Sequence, residues 1–180
     1  MEPETMYIVY IERNQPNMTT TTAPITNLSQ IVEAAQDTAA LIHETAPTFK
    51  ALRAFRDVAF INLALALNEV NETEEHEALD GFFNEILLES MTATDEQLEQ
   101  ATVTLEKTLK LWNELTGDNK MLELLFLIHL VCEIQEVMHA RVQKAKNEGN
   151  PKAHAVSAAF RVEANMVVAT LTGLQDRLLA

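Results

Sequence analysis

The stretch Val58-Ala59-Phe60-Ile61-Asn62-Leu63-Ala64-Leu65-Ala66-Leu67 holds nine apolar residues in ten, with no glycine or proline. Its alanines and leucines favour helix over strand. The helical pattern extends outward from it, from about Thr48 after the breaker Pro47 to Val70. A helix that turns apolar around its whole circumference has no face left for water. This reading makes residues 58–67 the most buried part of the central helix of a helical bundle.

Upstream, Asn27 or Ser29 is positioned to cap a first helix, with Leu28, Ile31, Val32, Ala35, Ala39 and Ile42 at i, i+3, i+4 spacing. Downstream, a third helix is expected over residues 75–91, with Leu79, Phe83, Ile86 and Ser90 inward. The fourth has the clearest start, because Thr94 followed by Gln97 is a capping-box pattern. Its inward stripe is Leu98, Ala101, Leu105, Leu109 and Trp112, and Gly117 is the natural stop. A fifth begins after Asp118 or Asn119 and runs through Lys146, with Val131, Ile134, Met138 and Val142 as its core face. Gly149-Asn150-Pro151 supplies a stop, a cap and a first-turn proline for the sixth. That last helix points Val156, Phe160, Ala164, Val167, Leu171, Leu174 and Leu178 inward, and its many alanines imply close approach of a neighbouring helix. The expected fold is all-α: about six largely antiparallel helices in one domain over residues 27–180.

Residues 1–26 form a separate N-terminal segment and polar linker. Tyr7-Ile8-Val9-Tyr10-Ile11 is β-branched and aromatic and reads as a short extended strand. A lone strand needs a partner. It would pair with its own copy in a homodimer, add to another protein's sheet, or remain a loose tail.

Composition narrows the class. The chain has 180 residues, 47% of them hydrophobic, only 4 Gly and 5 Pro. That is enough for a sizeable core and leaves little punctuation for a many-stranded sheet. The single cysteine, Cys132, excludes an internal disulfide and fits a reducing compartment. No apolar run reaches the ~20 residues of a membrane span, and Met-Glu-Pro-Glu is no signal-peptide start. The expected location is cytoplasmic, within a host cell if the protein is viral.

Charge is distributed unevenly. Residues 57–106 carry 13 acids and no lysine or arginine, while the rest carries 14 acids and 13 bases, giving a net −14. By 100° per residue, Glu74, Glu77, Glu85 and Glu89 share an outward face of the third helix. Glu99 and Glu106 share that of the fourth, with Glu96 at its edge. Two such faces on antiparallel neighbours merge into one negative surface. It either serves solubility or docks on a basic surface of another protein. Direct contact with nucleic acid is disfavoured by the same charge.

Three other constellations hold residue types able to carry chemistry. Glu74-x-x-Glu77-x-x-Asp80 puts three carboxylates along one side of a helix, a spacing able to hold Mg²⁺. All-α nucleotide pyrophosphatases use motifs of this kind with a second, Glu-x-x-Asp, on a later helix. Here Glu96-x-x-Glu99 is the nearest substitute, and the match is one of spacing alone. On the fifth helix His129, Cys132, Glu133, Glu136 and His139 share an arc of about 120°. Glu136-x-x-His139 occurs once, whereas a di-iron carboxylate site needs two such motifs. The core face therefore leaves Glu133, Glu136 and His139 toward solvent, His129 partly buried and hydrogen-bonded, and Cys132 a small hydrophobe. His43, His76 and His154 stand isolated and exposed. Arg141, Lys144, Lys146 and Lys152 cluster at the junction of the last two helices and mostly complement the helix dipole.

No phosphate loop, zinc spacing or nucleophile motif is present, and nothing calls for a cofactor. The expectation is a non-enzymatic interaction protein of inhibitor, nucleic-acid-mimic or chaperone type. It would bind a basic partner through Glu74, Glu77, Glu85, Glu89, Glu96, Glu99 and Glu106. The alternatives are a metal-dependent enzyme using Glu74, Glu77 and Asp80, or a homo-oligomeric structural protein assembled through Tyr7, Ile8, Val9, Tyr10 and Ile11.

Overall fold

The computed structural model describes residues 27–70, 94–117 and 119–180 and is an all-α bundle. Its described helices are α1 (Leu28–Thr45), α2 (Phe49–Val70), α3 (Asp95–Thr116), α4 (Lys120–Asn147) and α5 (Pro151–Leu179). The strand expected at residues 7–11, its linker and the helix expected at residues 75–91 lie outside the described residues.

The helix ends follow the polar punctuation. Asn27 caps α1 by accepting from the Gln30 amide at 3.0 Å. The Thr48 hydroxyl accepts from the Ala51 amide at 3.1 Å in the first turn of α2. Thr94 and Gln97 form the reciprocal capping box, each bond 3.2 Å long. Asn119 and Asn150 cap α4 and α5. Side-chain caps of this kind contribute about 1 kcal/mol each. Gly117 and Gly149 sit at φ 64° and 77°, where a Cβ is strained.

The centre of the bundle is α4, not α2 as the apolar run suggests. α4 packs against all four other described helices, and Leu124, Phe126, Leu127, Ile128, Leu130 and Val131 are fully buried. In α2 the part enclosed on all sides is residues 54–60, one turn earlier than expected. Within the quoted run, Ile61 and Leu65 open outward on one side of the helix.

Chain direction follows from specific contacts. Gln36 meets Glu133 and His43 meets Arg141, so α1 runs parallel to α4. Arg141 touches the end of α1 while Arg56 touches Gln135, so α2 runs back antiparallel to α4. Trp112 against Phe126 and His139 against Phe160 mark the hairpins α3–α4 and α4–α5. Three of α4's four neighbours are therefore antiparallel. The inward stripe of α5 is as expected at Phe160, Val167, Leu171 and Leu174. Val156, however, is 45% exposed. Phe49, the first residue of α2, meets Phe160 edge to face, so Val156 lies one turn beyond the helix that would cover it.

Candidate functional site

The acidic run divides into different environments. Asp95, Glu96, Glu99 and Glu106 are exposed on α3. Val103, 40% exposed, stands between Glu99 and Glu106 at i+4 and i−3, on the same face. Lys110 and Glu114, also exposed, continue the stripe. Glu74, Glu77, Asp80, Glu85 and Glu89 lie outside the described residues. Asp57, which opens the acidic run, does not contribute to a surface at all, being 1% exposed.

On α4, Glu136 is exposed as expected, but Glu133 and His139 are half-buried. Glu133 accepts from Gln36 of α1 at 3.2 Å, and His139 stacks on Phe160 with ring centroids 6.3 Å apart. His129 is half-buried as expected, yet its Nε2 is buried with no hydrogen-bond partner. Burial lowers its pKa, and the Glu133 carboxylate opposes that shift. Cys132 packs half-buried against the core. Burial, then the charges of Glu133 and Glu136, push its thiol up to about 11. A thiol held protonated is a poor nucleophile. Among the described residues, no three His, Cys, Asp or Glu side chains converge to hold a metal ion.

The polar feature that sequence reasoning missed lies between α2, α4 and α5. Arg56 has no exposed surface. Its Nε and Nη2 donate to Asp57 Oδ1 at 3.1 and 2.9 Å. Its Nη1 lies 2.8 Å from Glu163 Oε1 and 3.3 Å from Gln135 Oε1. Arg53 adds a second guanidinium 3.3 Å from Glu163. One carboxylate of α5 thus bridges two arginines of α2. A legible signal existed in all three helices. Arg56 falls in the stripe Leu52, Arg56, Phe60, Leu63, Leu67, while Gln135 falls between Val131 and Met138 and Glu163 between Phe160 and Val167. Each is a polar residue at a core register position.

Arg141, expected to complement the dipole of its own helix, instead caps a neighbouring one. Its Nη2 donates to the carbonyls of His43 and Ala46 at 2.7 Å each, and its Nε donates to His43 Nδ1. These are C-terminal carbonyls of α1 that helix geometry leaves without partners. His43 is exposed but engaged in this contact, so it is not isolated.

Compared with known proteins, the chain matches no protein family, no curated protein and no solved structure. No described helix is long and apolar enough to cross a membrane.

Proposed function

We propose that the chain is a non-enzymatic interaction protein whose acidic helical surface binds a basic surface of another protein in a reducing, cytoplasmic setting. The observation that carries this reading is the run of 13 acids without a base over residues 57–106. The exposure of Glu96, Glu99 and Glu106 supports it, with Val103 placed among them. The carboxylates would steer the encounter and pair with arginine or lysine side chains. Val103 would add the desolvated apolar contact that fixes the complex. Asp57 takes no part, since Arg56 already neutralises it inside the bundle.

The test is capture from native-cell lysate on immobilised protein, beside the Glu96→Lys/Glu99→Lys/Glu106→Lys chain. The reading expects a basic protein on the first column only, released as salt rises past about 0.3 M, where screening shortens the reach of charge to several ångströms. A partner held equally by both chains, or one indifferent to salt, would remove the acidic face from the mechanism.

A further inference from the structure

We propose that α5 is a hinged arm, able to open from α4 as a unit while α1 to α4 stay packed, with Glu163 as its latch. Among the described helices, α5 is the one whose backbone packs on a single neighbour. α1 packs on α2 and α4, α2 on α1, α3 and α4, and α3 on α2 and α4. What α5 buries is one narrow stripe, with Phe160, Val167, Leu171 and Leu174 along it.

Its tie to α2 lies within one turn. Phe160 meets Phe49 edge to face with ring centroids 5.7 Å apart, and Glu163 bridges Arg53 and Arg56. On a helix of 29 residues that is a tether at one point.

The charge network can be cut at Glu163. Arg56 is fully buried, and a guanidinium left there without a counter-charge would hold the arm shut. It keeps Asp57 at 2.9 Å and Gln135 at 3.3 Å, however, both on helices that stay in place. The groups that opening separates from each other, Arg53 and Glu163, are 20% and 26% exposed and pass into water at little cost. Opening therefore leaves the buried guanidinium paired.

The connection allows the swing. Residues 147–152 are all exposed, and Gly149 turns the chain at φ 77°. Asn150 accepts from the Lys152 amide, so the cap travels with α5. Opening uncovers the side of α4 on which His139 stacks against Phe160 and Cys132 lies two turns earlier. The chain thereby gains a second state with a different exposed surface, reached without unfolding the rest. No residue of the acidic face of α3 takes part.

Hydrogen–deuterium exchange of the full chain, followed helix by helix under conditions where closing outruns exchange, is the test. Amides between Phe160 and Leu174 should exchange at least about tenfold faster than those between Leu124 and Val142. Glu163→Gln breaks the latch and should speed exchange in α5 by about fivefold. The latch is lost in complete unfolding too, so the other helices should speed by the same factor. Ile42→Val separates local from global opening, because it loosens the core at α1, which does not touch α5. It should speed exchange in α1 and α4 by about fivefold and leave α5 unchanged. Protection of α5 equal to that of α4 in the native chain would overturn the proposal. So would Ile42→Val speeding α5 as much as α4, or Glu163→Gln leaving α5 unchanged.

Discussion

Replacing Arg56 by methionine tests the polar cluster directly. Methionine keeps most of the volume and helix propensity but removes the guanidinium. Asp57, 1% exposed, then loses its two bonds of 2.9 and 3.1 Å. Glu163 fares better, because it is a quarter exposed and retains Arg53 at 3.3 Å. The loss therefore falls mainly on Asp57. Removing one partner from a buried ion pair costs about 3–5 kcal/mol, against a total stability of about 5–15 kcal/mol. With a urea m-value of about 2 kcal/mol/M, the midpoint should fall by about 2 M. Urea unfolding followed by helical circular dichroism measures this. Arg53→Met, whose side chain is partly exposed, should cost about 1 kcal/mol or less. Arg56→Met combined with Asp57→Leu should recover most of the loss, since no buried carboxylate is then left behind. A midpoint shift below about 0.3 M for Arg56→Met would refute the reasoning, as would a double variant no more stable than the single one.

Three further outcomes follow from single side chains. Cys132, its thiol held near 11 against an ordinary value of 9.0, should react with an aromatic disulfide at pH 8 about 100-fold more slowly than in urea-unfolded chain. The same shift makes its contribution to stability full below pH 9 and progressively lost from there toward 11. For His129 the pKa is lowered, so the unfolded chain takes the proton first as pH falls below 6.5. Urea midpoints should therefore drop more between pH 8 and 5 in the native chain than in His129→Leu, and equal drops would exclude burial as the cause. Arg141→Met should lower stability by about 1–2 kcal/mol, because the α1 carbonyls of His43 and Ala46 lose charged donors. An unchanged midpoint in the same urea assay would show that water replaces those donors without loss.

The helix ends were legible because their chemistry is local. Asn27, Thr94 and Asn150 cap from within a turn, and no distant contact decides whether they do so. Inward stripes on α1, α3 and α5 were legible for the same reason, since periodicity alone fixes which side is apolar. The central helix was not. Two segments, residues 58–67 and 124–131, are apolar all round, and only packing decides which is surrounded. The Arg56 cluster is not legible from charge, because sign alone assigns Arg56 and Asp57 to the surface. Register places Arg56 inside, in line with Leu52 and Phe60, and Asp57 is buried beside it. Of the acidic site, Glu96, Glu99 and Glu106 are exposed as the helical wheel requires, and Val103 between them needed only the same wheel to be found.

The buried cluster and the proposed acidic surface lie on different sides of α4. α3 and α5 make no contact with each other, and each packs on α4. The position of α5 is fixed on its inner side by Glu163, which ties it to Arg53 and Arg56 of α2. Apolar packing alone tolerates small slides of one helix along another. A carboxylate bridging two guanidiniums does not, because a displacement of even 1 Å takes it out of hydrogen-bonding range. The costly buried charge is thus placed where it sets the register of α5 against α2. Arg56→Met combined with Asp57→Leu tests this link. If the cluster positions α5, that chain should keep its helical circular dichroism yet exchange the amide hydrogens of α5 faster than the native chain, and unchanged protection there would show that apolar packing alone holds the helix.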